Sequence, residues 1–173
     1  GGMVTTNDKE LADLIASLRN HGRGLATLGT YDHVRLGWNL RTTDVLSAIG
    51  REQLLKLPDF TKRRQHVAKR LDEGLAGTPG ITVPVVPKGR THVYHQYTVR
   101  CKDRSAVQAR LKAANIGFGV YYPKVLYEYS HLAQFARKCP NSEQAAKEAL
   151  SLPVHPSVSD ADVETIVKAV KGH

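Results

Sequence analysis

Gly1-Gly2-Met3-Val4-Thr5-Thr6-Asn7-Asp8, followed by Leu18-Arg19-Asn20-His21-Gly22, is the stretch from which the architecture is read. Met3 to Thr6 reads as the end of a strand, since β-branched residues dominate it. Asn7 can cap a helix, and Glu10 stands three residues later at capping-box spacing, with Asn in place of the usual Ser or Thr. Leu11, Leu14, Ile15 and Leu18 then fall at i, i+3, i+4 and i+7, which gives that helix one apolar face. Gly22 supplies the stop. A Gly-Gly start is unusual for a natural chain.

Residues 23–43 are Gly-rich and aromatic, with neither a helical nor a strand period, and are expected to form an ordered irregular loop. Thr42 or Thr43 then caps a helix through Val45, Ala48, Ile49 and Leu57. Pro58, at a first-turn position, is expected to restart it as a second helix. That second helix carries Phe60, Val67, Leu71 and Leu75 on one side. Its basic residues Lys62, Arg63, Arg64, Lys69 and Arg70 read as a solvated face.

After Gly77 the texture changes. Ile81 to Pro87 is extended, its prolines suiting an edge strand. Val93 to Arg100 has strand propensity, and Ser105 to Ala114 a helical period with Val107 and Leu111 inward. Asn115-Ile116-Gly117 turns into a strand around Val120-Tyr121-Tyr122, ended by Pro123. A helix near 142–150 precedes the extended run 151–156. The last helix starts at Ser159, with Asp162 three residues on, and buries Val163, Ile166, Val167 and Val170. The expected fold class is α/β with a small α+β domain. A helical, loop-rich region covers 1–57, and a linker helix with the small mixed domain covers 58–173.

The 173 residues suffice for one domain or two small ones. Lys and Arg number 25 against 16 Asp and Glu, a formal charge of +9, while 41% hydrophobic and 24% charged residues describe a globular chain. No apolar run approaches the roughly 20 residues of a membrane span. The start has no basic and apolar leader, so the expectation is a cytoplasmic protein with no membrane partner. Cys101 and Cys139 are too few for a disulfide scaffold or a four-cysteine zinc site. His92 and His95, on an expected strand, would face opposite sides, which suits no shared metal. The basic run lacks interleaved stacking aromatics, so no nucleic-acid partner is expected. The usual short catalytic signatures are missing too: Gly-x-Ser-x-Gly, the P-loop, His-Glu-x-x-His and the dinucleotide fingerprint.

Longer strings are more specific. They are the two already quoted, then Leu36-Gly37-Trp38-Asn39-Leu40-Arg41-Thr42-Thr43-Asp44, Ala48-Ile49-Gly50 and Gln53-Leu54. His92-Val93-Tyr94-His95-Gln96-Tyr97, Val120-Tyr121-Tyr122-Pro123, Cys139-Pro140 and Leu150-Ser151-Leu152-Pro153-Val154-His155-Pro156 follow. In this order and spacing they resemble the sugar aminotransferases of the DegT/DnrJ/EryC1/StrS family, from residue 1 to the C-terminal helix.

The resemblance implies a fold-type-I transferase that uses pyridoxal 5'-phosphate, forms a homodimer, and moves an amino group from L-glutamate to a nucleotide-linked keto sugar. It implies that the Gly-Gly strand belongs to the large domain and follows the Schiff-base lysine closely. That lysine is therefore expected upstream of Gly1, with no catalytic residue in this chain, which would be inactive alone. Residues 1–57 would be a remnant of the large cofactor-binding domain, and the 23–57 region the dimer contact. Asn39 matches the asparagine that bonds the cofactor phosphate of the opposite subunit; a loop-capping amide is the alternative. Arg41 matches an arginine at the substrate carboxylate or phosphate, where a planar fork holds glutamate or 2-oxoglutarate in two bonds; an interface ion pair is the alternative.

The 120–127 loop is implied to face the sugar, with Tyr121, Tyr122, Lys124 and Tyr127 as substrate-side residues. Many relatives have His-Tyr-Pro and Pro-Leu-His here; Tyr121 and Tyr127 keep the aromatic bulk but lose groups titrating near neutrality. Lys124 lies on that loop and is not expected to replace the missing lysine. Tyr94, His95, His155 and both Cys read as packing residues. The reading from another class is a non-catalytic dimerisation or anion-binding module derived from the same fold.

Overall fold

Tyr97, Val99 and Cys101 alternate along one strand and are buried, and the helical stripe Val67, Ala68, Leu71 and Leu75 shares their core. The computed structural model that shows this describes residues 1–24 and 32–172. The chain divides into two compact units, Gly1–Leu55 and Lys56–His173.

In the first unit, α1 spans Lys9–Leu18. Its cap is Asp8 rather than Asn7: the Asp8 carboxylate accepts from the Leu11 N–H at 3.1 Å. A carboxylate at this end also meets the positive pole of the helix. Met3 to Thr6 forms no strand, and Met3 and Val4 are exposed. Strand residues need a neighbour for their backbone hydrogen bonds, and propensity alone does not provide one. The loop expected over 23–43 falls partly on 25–31, outside the described residues.

Helix α2 runs unbroken over Asp44–Leu75 with Pro58 inside it, which corrects the expected restart at Pro58. Proline removes one N–H and frees one carbonyl a turn earlier, here that of Leu54. Leu54 is exposed, so water can take up that carbonyl. Thr43 does cap the start: its hydroxyl accepts from the Leu46 N–H at 3.3 Å.

The second unit carries the core. An antiparallel sheet runs in the order β1 (Ile81–Thr82), β2 (Tyr97–Cys101), β3 (Ala149–Leu152). Ile81 pairs with Cys101, and Tyr97 with Leu152. Helices α3 (Arg104–Ala113) and α5 (Asp160–Lys171) pack on each other, and α4 (Pro140–Glu148) precedes β3. Val107 and Leu111 of α3, and Val163, Ile166 and Val170 of α5, are buried as their spacing requires, with Val167 partly buried. Ser159 and Asp162 form the full reciprocal capping box.

Three expectations fail here. The strand expected from Val93 begins only at Tyr97, because Tyr94 takes a left-handed conformation (φ 48°). The His92 ring accepts from the Tyr94 N–H at 2.7 Å and fixes that turn, so the opposite-sides argument for His92 and His95 does not apply. No strand forms at 120–122; a single bridge joins Gly119 to Ser151 instead. The basic run is only partly a solvated face. Arg63 and Arg70 reach the Asp160 carboxylate at 3.2 and 2.9 Å, and Arg64 donates to the Tyr94 carbonyl at 3.2 Å. Cys101 and Tyr94 are core residues, whereas His95 and His155 are exposed and Cys139 is half-buried.

Among the described residues, no helix is long and apolar enough to cross a membrane. Nor do three or more His, Cys, Asp or Glu stand together as metal ligands there.

Candidate functional site

The candidate residues gather in two places, one in each unit. In the first unit, residues 38–40 run antiparallel beside the end of α1. The Trp38 N–H donates to the Leu18 carbonyl (2.8 Å), the His21 N–H to that of Trp38 (2.9 Å), and the Leu40 N–H to that of Arg19 (2.9 Å). Asn39 thereby stands opposite Asn20. Gly37 makes the approach possible, since a Cβ there would lie 2.1 Å from the backbone nitrogen of Gly22.

Asn39 and Arg41 both project outward from this pairing and are exposed. The Arg41 Nε–H donates to the Asn39 Oδ1 at 3.0 Å. A guanidinium has no acceptor, so the atom it meets must be the amide oxygen. The Asn39 NH2 is then left as a donor pair, beside a permanent positive charge. Such a set fits a phosphate: it offers neutral donors and a cation, with no competing carboxylate in the pair.

The second place is a groove of about 690 Å³ in the second unit, between the 121–132 segment and α4. Tyr121, Tyr122, Lys124 and Tyr127, expected on the substrate side, all line it. The Tyr121 ring lies over Gly119, where an added Cβ would meet its Cε2 at 2.2 Å. Glycine is what lets the ring sit against the backbone. Tyr121 and Tyr122 meet edge to face at 6.0 Å. The Lys124 ammonium stands 6.0 Å from the centroid of Tyr129, at the outer reach of a cation–π contact.

Tyr127 differs from its neighbours. Its hydroxyl donates to the Glu143 Oε1 at 2.5 Å, and the same oxygen accepts the Cys139 backbone N–H at 3.1 Å. The bond to a carboxylate raises the Tyr127 phenol above its usual range. That bond, and then the one from Cys139, hold the Glu143 carboxyl below its own. The Tyr127 hydroxyl is thus engaged at neutral pH, and its ring is what it offers the groove.

Glu143, Tyr129 and His131 were not singled out in the sequence. An acid in the first turn of α4 is a visible signal, explaining the bond to Cys139 four residues earlier. Nothing in the spacing announces that the same oxygen serves Tyr127, sixteen residues away.

Residues 1–171 match the model of the DegT/DnrJ/EryC1/StrS aminotransferase family. The chain is 36% identical over 170 residues to a UDP-2-acetamido-2-deoxy-3-oxo-D-glucuronate aminotransferase of Pseudomonas aeruginosa, covering 98% of this chain and 46% of that one. It is 34% identical to a dTDP-3-amino-3,6-dideoxy-alpha-D-galactopyranose transaminase of Aneurinibacillus thermoaerophilus, with 98% and 46% covered. Among solved structures, DesV of S. venezuelae in complex with a ketimine intermediate superposes with a TM-score of 0.89 at 31% identity, over 96% of this chain and 45% of that one. A family aminotransferase from Brucella abortus gives 0.87 at 33%, over 96% and 44%. The chain therefore spans about half the length of the curated relatives it matches, and its mixed α/β architecture is that of the corresponding part of these aminotransferases. From the end-to-end match and the shared fold, this chain belongs to the DegT/DnrJ/EryC1/StrS aminotransferase family.

Proposed function

We propose that this chain is the carboxy-terminal part of a pyridoxal-phosphate-dependent, cytoplasmic aminotransferase that moves an amino group from L-glutamate to a nucleotide-linked keto sugar. The observation that carries the reading is the match over nearly the whole chain to relatives named as nucleotide-sugar aminotransferases. Bound pyridoxal phosphate would supply the electron sink that amino transfer needs.

The roles of this chain's residues follow from their chemistry. Asn39 presents its NH2 to the cofactor phosphate held by the opposite subunit of a homodimer. Arg41 orients that amide through Nε and keeps its two terminal nitrogens for a carboxylate or phosphate. The rings of Tyr121, Tyr122 and Tyr127 give the sugar an apolar lining, with Lys124 beside them. Dimerisation through the 23–57 region is supported by the first half of α2, where Val45, Leu46, Ile49, Leu54, Leu55 and Leu57 are all exposed. Six exposed large apolar side chains on one helical segment make a surface of the kind that a partner covers. The 25–31 part of that region lies outside the described residues.

Pyridoxal phosphate retention and glutamate-dependent amination of UDP- and dTDP-linked keto sugars, measured on the gene product that contains this chain, test the reading. Asn39→Ala is expected to weaken cofactor retention about tenfold, as loss of one charge-assisted hydrogen bond does. Asn39→Asp should weaken it further by repelling the phosphate. Retention unchanged in both variants removes Asn39 from the phosphate site. Borohydride treatment of this chain with pyridoxal phosphate is expected to trap no lysine adduct. An adduct on Lys124 would overturn the assignment of that lysine to the sugar side.

A further inference from the structure

Both ends of the segment 128–138 are held by one atom. At the near end the Tyr127 hydroxyl reaches the Glu143 Oε1 at 2.5 Å, and at the far end the Cys139 N–H reaches the same oxygen at 3.1 Å. Between them the chain makes only short helical turns, chiefly a 3-10 stretch over Ser130–Phe135, and buries none of that stretch's residues. No apolar core holds it. Yet this segment presents Tyr129, His131 and Leu132 to the groove that Tyr121, Tyr122 and Lys124 also line. Glu143 stands on α4, a regular helix that runs directly into β3, so the backbone that carries its carboxylate is joined to the sheet. A loop with few contacts of its own takes its position from such an anchor.

We propose that Glu143 is a positioning residue for the sugar-facing groove: its single carboxylate oxygen closes the loop 128–138 at both ends and so places Tyr129 and His131 against a nucleotide-linked sugar. The proposal rests on the reading of this groove as the sugar side. Glu143 touches no substrate in this role; it acts through the loop.

Hydrogen exchange of the full chain, with and without UDP-N-acetylglucosamine as the probe, tests this together with the probe's dissociation constant. In Glu143→Ala the amides of 128–138 should exchange at least about tenfold faster while those of α3 and α5 keep their rates, and probe affinity should fall about tenfold, as expected for loss of charge-assisted bonds. Glu143→Gln keeps an acceptor oxygen and should recover most of both effects. Tyr127→Phe removes one of the two bonds and should loosen the loop at its near end. In the gene product containing this chain, Glu143→Ala should raise KM for the nucleotide sugar and leave kcat within about twofold, a split that general destabilisation does not produce.

Unchanged loop exchange in Glu143→Ala overturns the anchor. A loosened loop with unchanged affinity overturns its bearing on the groove. A loosened loop in a chain whose groove the probe does not protect even in the wild type supports the anchor and overturns the sugar reading, so the two failures are told apart.

Discussion

Replacing Tyr97 by Phe removes one hydroxyl from the centre of the small domain. Tyr97 is fully buried on β2, and its hydroxyl donates to the Asp72 Oδ1 of α2 at 2.6 Å. Hydrogen bonds to charged acceptors contribute about 1.5–3 kcal/mol. Asp72 is only partly buried and can take water back, so the lower half of that range applies, about 2 kcal/mol at pH 7. Burial first, and the Asp72 carboxylate second, push the Tyr97 phenol far above the usual tyrosine range.

The sign of the pH effect follows from this shift. A group whose folded pKa is raised stabilises fully below its unfolded pKa, about 10 for tyrosine, and loses that contribution as pH climbs toward the folded value. At pH 11 the unfolded wild type gains about 1.4 kcal/mol from ionising this tyrosine, and the Phe variant gains nothing. Tyr94 and Tyr127, also raised, are present in both proteins and cancel in the difference. The stability gap should therefore shrink from about 2 kcal/mol at pH 7 to about 0.6 kcal/mol at pH 11. Urea denaturation followed by far-UV circular dichroism at both pH values measures it. A gap of the same size at both, or a variant as stable as wild type at pH 7, refutes the reasoning.

Two further outcomes are expected. Thiol titration of the native chain at pH 8 should find Cys139 reactive and Cys101 silent until the chain unfolds, because Cys101 is wholly buried and burial pushes its thiol up to about 11; two thiols reacting at one rate would contradict the core placement. Asp160 is held below the usual carboxylate range, chiefly by the His66 hydrogen bond and then by the Arg70 charge. Its contribution is present above the unfolded pKa of about 4 and lost as pH falls through the lower folded value. Asp160→Asn should thus be less stable than wild type at pH 7, with the gap narrowing as pH falls below the unfolded carboxylate pKa, and a gap that does not narrow on acidification would contradict the ion-pair assignment.

The residues fall into two groups by how far apart their partners lie. Ser159 with Asp162, Thr43 with Leu46, and the inward stripe of Val163, Ile166 and Val170 involve neighbours within one or two turns, so spacing alone announces them. The same holds for Val107 and Leu111 in α3. The Asn39 and Arg41 pair is two residues apart, and the long motif around it made both visible. Not everything the spacing missed is long-range. Helix α2 continues through Pro58, and the strand expected from Val93 waits until Tyr97 because the His92 ring fixes a left-handed turn at Tyr94.

The helical stripes, the caps at Thr43 and Ser159, and family membership were thus legible in residue type and interval, since these stripes, caps and motif strings are short-range facts. Tertiary structure alone decided which charges are structural and which are free. Arg63 and Arg70 look like any solvated basic run until the fold brings Asp160 to them from about ninety residues away. Tyr127 likewise looks like one more ring on a sugar-facing loop until α4 offers its hydroxyl a carboxylate. The physical reason is common to both. A charge or a hydroxyl takes its role from the group that desolvates or pairs it, and only the folded chain says which group that is.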